Sequence, residues 1–145
     1  MEALLISACL MGFDCKYSGG NNRLSQAQLD ALRARYRLIP VCPEVSGGLP
    51  VPRAASERVG ARVMSCAGRD VTAEYMRGAQ TALTLAERFS CDKALLKAAS
   101  PSCGSGEIYD GTFSGRLVPG DGTAAECLRA RGVALFSEKE LDSLI

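Results

Sequence analysis

The sequence predicts a single-domain α/β fold: a three-layer, Rossmann-like arrangement around a mainly parallel four-stranded sheet, with a small β-hairpin added. Three observations carry that expectation. Short apolar runs alternate with segments of helical periodicity along the chain, the order that produces parallel strands joined by right-handed crossovers. The 145 residues suffice for one domain with one real core. Apolar residues make up 47 % and charged residues 23 %, a balance that describes a globular chain and excludes a disordered one.

The first strand is expected at Ala3 to Ile6, leaving through Ser7, Ala8 and Cys9 into a Gly/Asn/Asp-rich loop that carries Cys15, Lys16 and Tyr17. Ser25 and Gln28 read as a capping box for a helix to Tyr36, with Leu29, Leu32 and Tyr36 on one face. Leu38 to Val41 makes a second strand, ending in Cys42, Pro43 and Glu44. Pro40 inside it is tolerable only at a sheet edge or a strand start. After the Gly/Pro-rich stretch 45–54, alternation at Val59, Ala61 and Val63 with a turn at 67–70 predicts the hairpin. Thr72 is expected to cap a helix reaching about Phe89, with Met76, Ala79, Leu83 and Ala86 as its buried stripe. A third strand at 94–96 opens into a long loop of small residues that runs to Gly122. Thr123 and Glu126 read as another capping box, for a helix that Gly132 ends. Val133 to Phe136 is the fourth strand. Ser137 and Glu140 cap a short closing helix that turns Leu141, Leu144 and Ile145 inward.

Composition narrows the function. Lys and Arg are scattered singly and the net charge is +1, which offers no footprint for long nucleic acid. No apolar run approaches the roughly 20 residues of a membrane span, and the acidic, briefly apolar N-terminus makes a poor signal peptide. A cytoplasmic protein with no membrane partner is therefore expected. Seven cysteines, an odd number, are many for a reducing compartment, so some are expected to bind metal or react. Histidine is absent. That removes Cys-His and Ser-His nucleophile pairs, the ordinary neutral-pH base and imidazole-dependent zinc sites. Acid–base work falls to Glu, Asp, Lys, Tyr or a bound metal's water.

In a parallel sheet all carboxyl ends of the strands share one rim, where open α/β sheets bind their ligands. Cys9 follows the first strand, Cys42 the second and Cys103 the third, so three thiols distant in sequence are expected to converge. Cys91 precedes the third strand, Cys127 sits in a helix and Cys66 in the hairpin; these read as structural. Cys15 is either an auxiliary thiol near the rim or a bystander. Three thiolates without histidine suit a soft metal centre, and a cubane iron–sulfur cluster on three cysteines would leave one iron open. Glu44, two residues past Cys42, is the best acid–base candidate. Ser100 and Ser102 could donate hydrogen bonds, relay a proton or only cap the strand exit. Two other readings stay open: a non-catalytic zinc module with Cys15 as fourth ligand, and a metal-free thiol-redox enzyme using Cys9 and Cys15.

Three stretches, SACLMGFDCKYSGG (7–20), CPEVSGGLPVPR (42–53) and LKAASPSCGSGEIYDGTFSG (96–115), resemble those of the thiouracil desulfidase family, in the same order and across essentially the whole chain. The resemblance implies a 4Fe-4S cluster bound by Cys9, Cys42 and Cys103 with its fourth iron free, and Glu44 and Ser100 as the site glutamate and serine. It also implies removal of sulfur from a thiolated pyrimidine, 2-thiouracil giving uracil and sulfide without net redox change. The partner would then be a small thiolated base. The expected course has substrate sulfur binding the open iron and water, deprotonated by Glu44, attacking the thiocarbonyl carbon. Ser100 orients substrate or relays the proton.

Overall fold

The computed structural model describes all of residues 1–145. In chain order its regular elements are β1 (Glu2–Ser7), α1 (Gln26–Arg35), β2 (Tyr36–Val41), α2 (Pro43–Ser46), β3 (Ser56–Val59), β4 (Arg62–Ser65), α3 (Thr72–Arg88), β5 (Lys93–Leu96), β6 (Glu107–Tyr109), β7 (Leu117–Pro119), α4 (Thr123–Ala130) and β8 (Ala134–Ser137). Two 3-10 turns, Ala8–Met11 and Glu138–Ser143, follow β1 and β8. Four strands form one parallel sheet in the order β2-β1-β5-β8. Leu4, Leu5, Ile6, Ala94 and Leu95 have no exposed surface, as the central strands of a sheet covered on both faces require. Pro40 lies in β2, an edge strand, where a missing N–H is tolerated.

Alternate side chains feed two cores. On one face Leu5, Val41, Ala94 and Leu96 pack against Ala79, Leu83 and Ala86 of α3 and Ala124, Ala125 and Leu128 of α4. On the other, Leu4, Ile6 and Leu95 pack against Leu29 and Leu32 of α1 and Leu141 and Leu144 at the chain's end. The three expected layers are present. Each fully buried leucine contributes about 1.5–3 kcal/mol relative to an exposed one. The winding positions the site. The chain passes from β1 outward to β2, returns across the sheet to β5, and continues outward to β8 on the other side. The loops after β1 and β5 therefore part and leave a crevice between them at the carboxyl rim. No helix is long and apolar enough to cross a membrane.

Several local expectations change. Tyr36 does not lie on the face of α1. It opens β2, and its buried phenol donates to the Leu144 carbonyl at 2.9 Å. The closing helix is a 3-10 turn; Ser137 and Glu140 do cap it, but Ile145 is exposed. The hairpin turns at Gly60 and Ala61, not at 67–70, with Ser56 opposite Ser65 and Val59 opposite Arg62. The 67–70 turn adds one bridge between Met64 and Asp70. Thr72 does not cap α3 with its side chain. Asp70 Oδ1 accepts the Thr72 N–H at 2.9 Å, while Thr72 Oγ1 accepts the Val63 N–H at 2.9 Å and ties helix to hairpin. Tyr75 takes the buried place expected of Met76, which is half exposed. The Thr123/Glu126 box does not form. Glu126 pairs with Arg58 at 2.9 Å, and the Thr123 and Ala124 N–H groups donate to the Pro101 and Ser102 carbonyls. Part of the long loop after β5 pairs as the β6–β7 hairpin, whose three-residue strands are too short to show alternation.

Candidate active site

A cavity of about 510 Å3 opens at the carboxyl rim. Cys9 reaches it from the 3-10 turn that ends β1, Cys42 from the residue after β2, and Cys103 from the turn after β5. Glu44, Ser100, Ser102 and Cys15 line the same space. The other three thiols lie elsewhere. Cys91 is buried under α3 and α4, and Cys127 packs half-buried against that core. Cys66 is exposed, so it is not the packing residue expected.

The thiols at the rim sit among a few polar groups. Asn22 Nδ2 donates to Cys9 Sγ at 3.5 Å, and Ser102 Oγ lies 3.7 Å from Cys103 Sγ. Cys42 Sγ lies 3.7 Å from the Cys15 carbonyl oxygen. Burial pushes the Cys103 thiol up to about 12, against the opposing influence of Ser7 and Ser102. Cys15 is pushed up to about 12 by burial and then by Cys42. Cys9 is also raised, by burial first, with Asn22 opposing and Cys42 adding. A metal-free redox pair needs a depressed thiol; Cys9 and Cys15 are shifted the other way. What turns such thiols into ligands is a bound cation that displaces their protons. No three Cys, Asp or Glu side chains close around a point that could hold a single metal ion. A soft, sulfur-only donor set spread over the walls of a cavity instead fits a body wider than one ion, such as a polynuclear cluster.

Glu44 owes its position to glycine. It sits in α2, a single turn opened by Pro43 at a position that suits proline. A Cβ on Gly78 of α3 would fall 1.8 Å from the Pro43 carbonyl oxygen, and one on Gly47 would fall 1.9 Å from the Glu74 carbonyl oxygen. Only glycine at both places lets α2 lie directly on the backbone of α3. The Glu44 side chain is then held at both ends: Oε1 accepts Arg53 Nε at 3.0 Å, and Oε2 accepts the Ser102 hydroxyl at 3.0 Å. The Tyr75 phenol faces the same carboxylate. Burial, and then Glu44, raise it well above the usual tyrosine range, so it stays protonated. Arg53 also donates to the carbonyls of Cys15 at 2.8 Å and Pro50 at 3.1 Å, and its backbone N–H donates to the Tyr17 carbonyl. One guanidinium thus joins the loop after β1 to the loop after α2.

The two serines differ in their contacts. Ser100 Oγ accepts the N–H groups of Ser102 at 3.2 Å and Cys103 at 3.1 Å, which shapes the turn that carries Cys103. Ser100 Oγ and Ser102 Oγ are 3.0 Å apart. A carboxylate only accepts, so the Ser102 proton points to Glu44 and the Ser100 proton to Ser102. The hydroxyl touching Glu44 is therefore that of Ser102, which is 1 % exposed; Ser100 stands one step behind it. Sequence reasoning missed Ser7, whose Oγ accepts the Lys97 N–H at 2.9 Å and ties the ends of β1 and β5. It also missed Asn22 and Tyr75. Lys97 pairs with Glu138 at 2.8 Å, and Asp110 is used by its own turn, accepting from Thr112.

The profile of the 2-thiouracil desulfurase family matches residues 4–140. A solved structure of TudS, a 4Fe-4S-dependent thiouracil desulfidase, is 46 % identical and superposes with a TM-score of 0.94 over 99 % of this chain and 95 % of that one. The uncharacterized protein YbbK of Bacillus subtilis (strain 168) is 36 % identical over 152 positions, spanning 98 % of this chain and 99 % of its own.

Proposed function

Because the chain belongs to the 2-thiouracil desulfurase family, whose members act on a C–S bond, we propose that it converts a thiolated pyrimidine such as 2-thiouracil, with water, to uracil and sulfide. The observation that carries this reading is the meeting, in one cavity, of three strand-end thiols and a carboxylate held at both oxygens. Cys9, Cys42 and Cys103 are the ligands assigned to a 4Fe-4S cluster, in keeping with the cofactor of TudS. When bound, a cluster on three cysteines supplies an open, soft, Lewis-acidic iron that prefers sulfur to oxygen and polarises a thiocarbonyl.

The rest belongs to the chain's own side chains. Glu44 takes a proton from the attacking water as that oxygen bonds to the ring carbon. Arg53 holds Oε1 and fixes the carboxylate's orientation, leaving Oε2 for the proton. Ser102 bonds Oε2 and joins it to Ser100; once Oε2 is protonated it becomes the donor, both hydroxyls turn, and the proton passes outward through them to the departing sulfur. A C–S double bond gives way to a C–O double bond, and both protons of the water leave with sulfur. Substrate neither gains nor loses electrons.

Anaerobic reconstitution with iron and sulfide, followed by assay of uracil and sulfide from 2-thiouracil, tests the reading. Glu44→Gln is expected to retain its iron and lose about 10²–10⁴-fold in kcat. Cys103→Ala is expected to lose both iron and activity, whereas Cys91→Ala, altered beneath the helices, keeps both. Turnover by iron-free protein, or full turnover by Cys103→Ala, would overturn it.

A further inference from the structure

Four aromatic side chains are exposed, and three of them, Tyr17, Tyr109 and Phe113, stand around this one cavity. Exposed aromatics scattered singly need no explanation, but a group at the mouth of a cavity marks a contact surface. Phe113 is held there against its backbone preference. Its φ is +57°, in the left-handed region that a bulky residue seldom enters and that persists only where surroundings enforce it.

The enforcement is visible. Glu57 Oε1, on β3, accepts the N–H of Gly111 at 2.9 Å and of Phe113 at 3.0 Å. Asp110 Oδ1 accepts both the N–H and the hydroxyl of Thr112 between them. A Cβ on Gly111 would fall 2.0 Å from Val59 Cγ2, so the turn is pressed against the β3–β4 hairpin. A carboxylate, a second hairpin and a strained backbone thus hold one phenyl ring at the mouth of the cavity. The ring remains 41 % exposed. Packing within the chain does not use that face.

We propose that Phe113 stacks on the face of the substrate ring and selects planar heteroaromatic thiocarbonyl compounds over puckered or acyclic ones. The inference rests on the reading that the cavity takes a thiolated pyrimidine, and it adds what recognises the ring. Stacking needs a π-face and tolerates differences in the ring's edges. A sulfur-binding centre alone would treat any thiocarbonyl alike.

The chain has no tryptophan, so Phe113→Trp introduces a single fluorescent reporter at the position in question. In the reconstituted holoenzyme, uracil should quench that fluorescence saturably. 5,6-Dihydrouracil, which keeps the polar edge but lacks the flat π-face, should need at least about five times the concentration. In turnover, Phe113→Ala should raise KM for 2-thiouracil about 5- to 150-fold, the loss of one base–aromatic stack. Its kcat should fall by less than KM rises, with iron content unchanged, and Phe113→Trp, which keeps an aromatic face, should have a KM between those of Phe113→Ala and wild type. Equal quenching by the two rings, or a KM for Phe113→Ala within twofold of wild type, overturns the proposal. Failure of the reaction itself reads out separately: the wild-type holoenzyme would release no uracil, while uracil would still quench the Phe113→Trp reporter.

Discussion

Two carboxylate–guanidinium pairs of nearly equal length flank β3 in sequence, Glu44 with Arg53 at 3.0 Å and Asp70 with Arg62 at 2.9 Å. The first is buried, its side chains 15 % and 6 % exposed; the second stands in water, at 43 % and 69 %. Taking Glu44 and Arg53 out of solvent costs several kcal/mol per ion. The burial is tolerable because every remaining polar position finds a partner: Ser102 on the carboxylate, and the Pro50 and Cys15 carbonyls on the guanidinium. Asp70 and Arg62 are never desolvated, and an exposed pair of this kind is worth little. Bond length does not separate them. Surroundings do: of the eight ion pairs only Glu44–Arg53 has both side chains this deeply buried, and it lines the cavity that holds the thiols.

The largest effect should come from breaking the buried pair. Arg53→Met leaves the Glu44 carboxylate buried without its cation and frees two loops, and is expected to destabilise the protein by about 3–5 kcal/mol. Urea unfolding of reconstituted protein measures it. Adding Glu44→Gln removes the stranded charge, so the double variant should recover part of that stability while remaining inactive. If Arg53→Met unfolds at the wild-type midpoint, the buried pair differs from the exposed one in appearance only.

A smaller loss separates the two serines behind that pair. Ser102→Ala deletes the hydrogen bond to Glu44 Oε2, and a bond to a charged group is worth about 1.5–3 kcal/mol. The expected cost is about 10- to 150-fold in kcat/KM, with iron content intact. Ser100→Ala instead strips the acceptor from the Ser102 and Cys103 N–H groups. It should show first as lower iron per chain and a lower Tm. Equal iron loss in both variants would merge their roles.

What the sequence makes legible follows the same division. The central strands read clearly, because a sheet covered on both faces demands unbroken apolar runs such as Ala3 to Ile6. Cys9, Cys42 and Cys103 were found at strand exits because parallel topology puts every exit on one rim. Contacts made by chain folding back on itself were not legible. Ser7 looks like any serine ending a strand, and nothing local says that its Oγ receives Lys97 from 90 residues away. Periodicity put Met76 in the stripe of α3, whereas one position earlier Tyr75 turns inward to meet Glu44. The β6–β7 hairpin, with three-residue strands amid glycines, carries no alternation for a pattern to register. Thr123 and Glu126 have capping-box spacing, but Glu126 is drawn away by Arg58 of the β3–β4 hairpin.

The smallest effect belongs to the exposed pair, and its sign with pH can be worked out. Hydrogen bonds from Thr72, and then from Arg62, hold the Asp70 carboxyl down at about 2, below the roughly 3.9 of an unfolded aspartate. A carboxyl depressed on folding adds stability that is complete above the unfolded value and is lost as pH falls through the folded one. Asp70→Asn should therefore lower Tm slightly at pH 5 to 7, by about 3 °C or less. The difference from wild type should shrink as pH falls below 4 and be gone only below about 2. High salt should weaken the Arg62 contribution but leave the bond to the Thr72 N–H, because only the first depends on an exposed cation. An undiminished difference at pH 2, or a Tm loss rivalling that of Arg53→Met, would mean that the exposed carboxylate is as deeply built into the fold as the buried one.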